Sequence, residues 1–225
     1  MGAEVLITGA NRGIGLEFAR QFAKRGDQVV ATCRDPENAA ELRALDIEVL
    51  KLDVSSMDEV AAVAAVYDDR HLDVLLNNAG VGVNSVPLGD VDLDQMKDFY
   101  AINAAAPLAL VQTLLPALRR GRGRTILNMT SRMGSIGDNT SGAAYSYRAS
   151  KAALNAITKS LALDLAAEEF TCAVLHPGWV QTDMGGAGAP VTPADSVAGL
   201  LRVIDGLGVA DSGGFFDYTG EQLPW

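Results

Sequence analysis

Short apolar runs alternate with amphipathic segments from one end of the chain to the other. The runs are rich in Val, Ile and Leu and lack the polar alternation of a half-exposed strand, which is typical of strands buried on both faces. They predict strands at Val5–Thr8, Gln28–Thr32, Glu48–Leu52, Val74–Asn77, Thr125–Met129, Cys172–Leu175 and Gly214–Asp217. The segments between them have a helical period and predict helices at Ile14–Arg25, Pro36–Ala44, Met57–Tyr67, Leu93–Leu118, Tyr147–Ala167 and Pro193–Gly206.

This alternation of strands and helices predicts an α/β fold. The pattern contains no linker, low-complexity tract or internal repeat, and a chain of this length can build one large core. We therefore expect residues 1–225 to form a single domain of the Rossmann type. Its centre is a doubly wound parallel sheet of about seven strands, with helices on both faces.

A glycine-rich turn joins the first predicted strand to the first predicted helix, with the sequence Thr8-Gly9-Ala10-Asn11-Arg12-Gly13-Ile14-Gly15. Such a turn presents backbone N–H groups and a helix N-terminus to a phosphate. Its spacing, Gly-x-x-x-Gly-x-Gly, differs from the commonest dinucleotide fingerprint, but it allows the same close approach of backbone to pyrophosphate. The turn therefore predicts a bound dinucleotide.

Polar and glycine-rich residues also follow the other predicted strands. In open parallel sheets, ligands bind beyond the carboxyl ends of the strands, so these residues are candidates for one site. In chain order they are Cys33 and Arg34, Asp53 and Val54, Asn78-Ala79-Gly80, Ser131, and Pro177-Gly178-Trp179-Val180-Gln181-Thr182.

A tyrosine and a lysine stand four residues apart in the fifth predicted helix, as Tyr147 and Lys151. Residues at this spacing are neighbours on one helix face. A free tyrosine has a pKa of about 10, and a nearby ammonium helps it to exchange protons closer to neutrality. Tyr145 is a competing phenol, but the residue four positions after it is Ala149.

Composition excludes several classes of function. The net charge is −10 and the sequence pI is about 4.6, which argues against nucleic acid or an anionic membrane as the main partner. Cys33 and Cys172 lie in apolar runs and have no metal-ligand spacing, and the two histidines form no cluster, so we expect no metal site. Free thiols, a first strand close to Met1 and no long apolar run predict a cytoplasmic protein without signal peptide or membrane span.

Together these motifs resemble the short-chain dehydrogenases/reductases over essentially the whole chain. The signatures are the glycine turn, Asp53-Val54, Asn77-Asn78-Ala79-Gly80, Asn103, Ser131, Tyr147 with Lys151, and Pro177-Gly178 with Thr182. The stretch from Asp138 through Asn155 resembles the branch that contains sniffer-type carbonyl reductases and bacterial C-factor proteins.

The resemblance implies a role for each catalytic candidate. Tyr147 is the general acid in carbonyl reduction, Ser131 hydrogen-bonds the substrate oxygen, and Lys151 binds the nicotinamide ribose and lowers the Tyr147 pKa. Asn103 holds a water that connects Lys151 to solvent. Two alternatives stay open: Ser131 as a turn cap, and Asn103 as a structural residue bonded to backbone. The implied cofactor-binding residues are Gly9, Asn11, Arg12, Gly13, Ile14, Gly15, Arg34, Asp53, Val54, Asn78, Ala79, Gly80, Tyr147, Lys151, Pro177, Gly178, Val180 and Thr182.

The residues after the second strand favour NADP over NAD. An acidic residue there binds the ribose 2′-hydroxyl of NAD, whereas an arginine accommodates the 2′-phosphate of NADP. The position holds Cys33 followed by Arg34, and Arg12 offers a second guanidinium. Asp35 is the rival for an NAD assignment, but Asp35 before Pro36 is also a natural helix N-cap and first-turn pair.

We expect an NADPH-dependent oxidoreductase that reduces aldehydes or ketones. The alternative is a C-factor-like regulatory protein that binds nucleotide and turns over little. The family's helix pairing implies a homodimer or homotetramer. Candidate pocket residues are Val81, Met133, Trp179 and Met184, and the glycine-rich residues from Thr182 to Pro190 predict a short lid that is disordered without cofactor.

Overall fold

The computed structural model describes residues 2–82 and 85–225 and contains one parallel sheet. All strands of the sheet pair in parallel, in the order β3-β2-β1-β4-β5-β6-β7. Each predicted strand is confirmed, and the predicted bounds hold to within one residue. The strands are β1 Glu4–Ile7, β2 Gln28–Cys33, β3 Glu48–Lys51, β4 Val74–Asn77, β5 Thr125–Met129, β6 Thr171–His176 and β7 Gly214–Asp217.

The helices cover both faces of this sheet, as the alternating pattern predicts. One hydrophobic core lies between the sheet and the helices that follow β1 and precede β7, and the other lies under the helices that flank β4 and β5. Val5 and Ile7 belong to the first core and Leu6 to the second, so β1 is buried on both faces. The helices are α1 Gly13–Lys24, α2 Ala40–Arg43, α3 Met57–Val66, α4 Leu93–Tyr100, α5 Ala106–Arg120, α6 Tyr145–Asp164 and α7 Pro193–Gly206.

The helix expected at Pro36–Ala44 is wrong in its first half, since α2 begins only at Ala40. The preceding residues form a turn in which the Asp35 carboxylate accepts hydrogen bonds from the backbone and side-chain nitrogens of Asn38. Short polar side chains offer the backbone an alternative to the helix in this way. The capping role expected of Asp35 is thus observed, on a turn rather than on a long helix.

The helix expected to be continuous over Leu93–Leu118 contains a π-helical turn at Ala101–Ala105 between α4 and α5. Pro107 explains it, because a proline has no N–H to donate to the carbonyl four residues earlier, which is that of Asn103. The interruption places Asn103 on a locally widened helix. The sequence pattern alone does not show this widening, since the apolar period continues through it.

The stretch Leu93–Arg120 is long and apolar enough to cross a membrane by length and composition alone, contrary to the expectation that no run approaches this. Half of its most apolar window is buried within the protein. There Leu110, Val111 and Leu114 pack in the core under β4 and β5. Packing against the sheet therefore explains this apolar face.

Candidate active site

The carboxyl ends of β5 and β6 bring together residues that are far apart in the chain. The two strands pair with Met129 opposite Leu175, and the Thr130 N–H donates to the Leu175 carbonyl. Ser131 follows the first strand and His176 ends the second. The helix α6 runs across this edge of the sheet and carries Tyr147 toward Ser131.

Tyr147 and Ser131 form the centre of the site. Tyr147 is 6% exposed. Burial raises the pKa of its phenol, so the lowering expected from Lys151 is not observed, and a side-chain hydrogen bond with Ser131 works against the effect of burial. The Ser131 hydroxyl also accepts a hydrogen bond from the Met133 N–H at 3.2 Å. The turn-capping alternative for Ser131 is thus observed, Ser131 also lies against the phenol, and its role toward the substrate oxygen stays a prediction.

Lys151 lies one helical turn beyond Tyr147 and is 5% exposed. Its ammonium donates to the Met129 carbonyl oxygen at 2.8 Å and lies 5.8 Å from the centroid of the Tyr147 ring. Burial lowers the pKa of Lys151 to about 8. The side chain therefore carries a positive charge at neutral pH in surroundings with little water to solvate it.

Asn103 connects the loop after β4 to α6. Its amide oxygen accepts from the Val81 N–H at 2.9 Å, and its amide nitrogen donates to the Val81 carbonyl and the Ser150 hydroxyl. The Ser150 hydroxyl donates in turn to the Tyr147 carbonyl. The structural role left open for Asn103 is thus observed, and the water relay stays a prediction. Val81 makes these backbone contacts and is not among the residues that line the cavity described below.

The start of α6 has a strained backbone that sequence analysis missed. Gly142, Ala143 and Ala144 have φ values of +66°, +52° and +47°, in a region that costs roughly 1–2 kcal/mol per non-glycine residue. Arg148 holds this segment by donating to the Gly142 carbonyl, the Met133 carbonyl and the Ser141 hydroxyl. Strain retained beside a site is a sign of function, and here it sets where α6 begins.

A cavity of about 530 Å³ opens beside Tyr147 and Ser131. Met133, Trp179 and Met184, which the sequence proposed as pocket residues, all line it. The remaining lining residues are Ile14, Thr130, Ser131, Arg132, Asp138, Tyr147, Arg148, His176, Pro177, Gly178, Val180, Thr182 and Gly185. A mostly apolar cavity with a few convergent polar groups is typical of a small-molecule site.

His176 is a cavity residue that sequence analysis did not single out. Its Nδ1 atom is buried with no hydrogen-bond partner in the described part of the chain. Burial lowers the pKa of His176 to about 4, with Arg132 adding to the effect and Asp217 opposing it. The imidazole is therefore neutral at neutral pH. Its position just before Pro177-Gly178 was the only signal in the sequence.

The segment after β6 is connected by hydrogen bonds between its own residues, and its expected disorder without cofactor stays a prediction. The Trp179 indole donates to the Gly185 carbonyl at 2.7 Å, and the Gly186 N–H donates to the Thr182 carbonyl at 2.8 Å. Gly185 has no room for a side chain, because a Cβ there would lie 2.0 Å from the Val180 carbonyl oxygen. Glycine in this segment thus permits close packing as well as a wide range of backbone conformations.

The glycine turn forms a tight cradle between β1 and α1. A Cβ on Gly9 would lie 2.8 Å from the Cα of Ala79, and one on Gly15 would lie 2.4 Å from the Asn78 amide nitrogen. That amide donates to the carbonyls of Thr8 and Gly9. Close contacts with Asn78 and Ala79, in the loop after β4, therefore fix the path of the glycine turn at the edge of the sheet.

A family model described as short chain dehydrogenase matches residues 3–190. The chain belongs to the short-chain dehydrogenase/reductase family. It is 53% identical to the C-signal protein of Myxococcus xanthus over 154 residues, which cover 68% of this chain and 93% of that relative. The sniffer-type and C-factor-like branch predicted from the sequence is confirmed.

Two solved structures agree over the full chain. The carbonyl reductase Sniffer of D. melanogaster is 38% identical, with a TM-score of 0.95 and all of both chains covered. An NADPH-bound carbonyl reductase from chicken fatty liver is 36% identical, with a TM-score of 0.94 and 100% and 99% of the chains covered. The fold and the oxidoreductase class of this short-chain dehydrogenase/reductase are thus established.

The residues of this family member fit the nicotinamide cofactor that the family uses. The first turn of α1 has no acidic side chain and no side-chain cap, so its N–H groups are available to a phosphate. Gly178, with φ of +84°, Val180 and Thr182 line the cavity beside Tyr147. These three residues therefore lie together beside Tyr147, and their contact with the cofactor stays a prediction.

Of the two arginines predicted to select NADP, Arg34 directly follows β2 and Arg12 directly precedes α1. Arg34 is exposed, forms no ion pair within residues 2–82 and 85–225, and acts on Asp53 by charge alone. Asp53 accepts hydrogen bonds from the backbone and side chain of Ser55, which lower the pKa of its carboxyl. Arg12 forms a salt bridge of 2.9 Å with Asp183.

Proposed function

We propose that this protein reduces an aldehyde or ketone to the alcohol with NADPH. The observation that carries the proposal is that Tyr147 and Ser131 line one cavity, with the Lys151 ammonium 5.8 Å from the centroid of the Tyr147 ring. The same cavity is lined by Gly178, Val180 and Thr182, which belong to the predicted nicotinamide site. A proton donor and a cofactor site then face the same substrate.

The residues divide the work of carbonyl reduction between them. When bound, the reduced nicotinamide supplies a hydride to the carbonyl carbon. Ser131 donates a hydrogen bond to the carbonyl oxygen, and Tyr147 donates its phenolic proton to that oxygen as negative charge develops on it. The buried ammonium of Lys151 stabilises the phenolate that remains, and a proton from solvent restores the phenol.

The raised pKa of Tyr147 suits the reductive direction. Burial keeps the phenol protonated at neutral pH, which is the form that a proton donor needs. Alcohol oxidation requires the phenolate, which becomes available at higher pH. We therefore propose reduction as the reaction favoured at neutral pH.

NADP is the cofactor that the charges support. Arg12 and Arg34 provide two guanidinium groups for a 2′-phosphate, and the rival Asp35 is engaged with Asn38. The relative from chicken was solved with NADPH bound. Steady-state oxidation of NADPH and NADH with a panel of aldehydes and ketones tests the proposal. Absence of turnover with every carbonyl compound would refute it.

A signalling role is the second candidate, and the high identity with a protein named C-signal favours it. A pure nucleotide sensor would not need the proton donor, so the two candidates differ in what Tyr147 contributes. In a cell-based signalling assay with Tyr147→Phe, loss of the signal together with turnover indicates an enzymatic origin. A signal that survives loss of turnover indicates a separate role.

A further inference from the structure

Three successive residues after β6 reach across the cofactor edge of the sheet. We call Thr182, Asp183 and Met184 the strap. The Thr182 methyl group lies against Gly13, where an added Cβ would approach it to 3.3 Å. Met184 packs on Gly82, where an added Cβ would lie 2.9 Å from its Cγ. The strap thus connects the glycine turn after β1 with the loop after β4.

The middle residue of the strap, Asp183, forms an ion pair with Arg12. The Arg12 Nη1 and the Asp183 Oδ2 are 2.9 Å apart, and the two side chains are 69% and 78% exposed. Asp183 is held toward Arg12 by the turn around it, in which Thr182 accepts hydrogen bonds from the N–H groups of Gly185 and Gly186. The turn therefore places the carboxylate against the Arg12 guanidinium.

The partner of Asp183 is one of the two cations assigned to the 2′-phosphate. An exposed ion pair contributes little stability, so a phosphate dianion can replace the carboxylate on the guanidinium at small cost. The displaced carboxylate then lies close to a second negative charge. A ligand without the 2′-phosphate leaves the pair intact.

We propose that Asp183 is a specificity-determining residue that competes with the cofactor 2′-phosphate for Arg12. It reduces the preference for NADP over NAD, and it couples the arrival of the phosphate to the strap. Met184 and Gly185 follow Asp183 in the chain and line the substrate cavity. Replacement of Asp183 by phosphate on Arg12 therefore affects the residues that line the cavity. This inference rests on the proposed NADP function.

The binding test uses two nucleotides that differ in the 2′-phosphate, namely 2′,5′-ADP and 5′-AMP, titrated by calorimetry. We expect Asp183→Asn to bind 2′,5′-ADP about two- to fivefold more tightly and to bind 5′-AMP unchanged. In an Arg12→Gln background the gain from the same substitution should be smaller, since only the repulsion between carboxylate and phosphate then remains. Asp205→Asn is the matched control, because Asp205 pairs with Arg25 at the far end of α1.

The outcomes separate this inference from the function on which it rests. If 2′,5′-ADP binding depends on Arg12 but Asp183→Asn leaves it unchanged, the role of Asp183 is overturned and the NADP assignment stands. An equal gain for both nucleotides also overturns it. If the parent protein binds 2′,5′-ADP no more tightly than 5′-AMP, the NADP assignment itself fails.

Amide hydrogen exchange tests the coupling to the strap. We expect 2′,5′-ADP to accelerate exchange in residues 183–188 of the parent protein, because their salt bridge to Arg12 is lost. With 5′-AMP, the rate should stay the same. Equal exchange with both nucleotides would contradict the coupling.

Discussion

The Lys151 ammonium lies 5.8 Å from the centroid of the Tyr147 ring and donates to the Met129 carbonyl at the end of β5. The bond to a strand end fixes the charge relative to the sheet, while the four-residue spacing fixes it relative to the phenol. Both groups are buried, so their interaction is screened little by water. This arrangement places a positive charge where a phenolate forms.

Removing the phenol hydroxyl should abolish most turnover. We expect Tyr147→Phe to lower kcat about 10²–10⁴-fold, the usual contribution of general acid–base catalysis. NADPH affinity should be retained, since the ring keeps its packing. Steady-state kinetics and cofactor titration measure both. Tyr145→Phe is the control, and turnover of Tyr147→Phe within a few-fold of the parent would remove Tyr147 from the mechanism.

Reversing the charge at Arg34 should weaken NADPH binding. A hydrogen bond to a charged group contributes about 1.5–3 kcal/mol, so Arg34→Asp should cost roughly ten- to a hundredfold in NADPH affinity. NADH affinity should change much less. Fluorescence titration of both cofactors measures this, with Arg43→Asp on α2 as control. Equal losses for both cofactors would contradict the assignment.

The buried ammonium of Lys151 should lower the free energy of unfolding of the protein, although catalysis needs it. Because burial lowers its pKa to about 8, the unfolded chain binds more protons than the folded one between pH 8 and the ordinary lysine pKa of 10.5. The stability of the parent protein therefore rises with pH across this window. We expect Lys151→Met to be inactive, yet more stable by about 1–3 kcal/mol below pH 8.

Denaturant unfolding at several pH values measures the Lys151 effect. The difference between variant and parent should narrow as pH rises through the window. Lys159→Met, an exposed site on the same helix, serves as control and should show no such pH dependence. A variant less stable than the parent at every pH would contradict the prediction.

His176 should make the protein sensitive to mild acid. Its pKa is lowered from 6.5 to about 4, so its neutral form favours folding fully above pH 6.5 and loses this effect as pH falls toward 4. Between pH 6.5 and pH 4, we expect the free energy of unfolding of His176→Gln to fall by about 2 kcal/mol less than that of the parent protein. His71→Gln, at an exposed histidine, should follow the parent curve in the same unfolding series.

Arg148 should support the loop that begins at Ser131. Its three hydrogen bonds restrain the left-handed segment before α6, and a charged donor typically contributes about 1.5–3 kcal/mol. We expect Arg148→Met to lower stability by about that amount and to raise KM for the carbonyl more than it lowers kcat. Thermal unfolding and kinetics measure this, with exposed Arg202→Met as control.

The strands and most helices could be predicted because buried parallel strands and amphipathic helices leave direct patterns in the chain. The apolar runs around Leu6 and Leu75 and the period of α6 are of this kind. The start of α2 could not be predicted, because Asp35 and Asn38 compete with the helix through side-chain hydrogen bonds. The π-helical turn at Asn103 could not be predicted either. Pro107 removes the backbone hydrogen bond to the Asn103 carbonyl, but the apolar period of the sequence continues through it.

By itself, the sequence determined where the strands lie in the chain, the glycine turn and the placement of Tyr147 and Lys151 on one helix face. Each of these depends on residues that are close together in the chain. Only the tertiary structure decided that Ser131 meets Tyr147, that His176 lines their cavity and that Asp183 meets Arg12. These contacts join residues from different strands and loops. The distances between these residues depend on how the sheet brings the carboxyl ends of its strands together. A local sequence pattern contains no information about that arrangement.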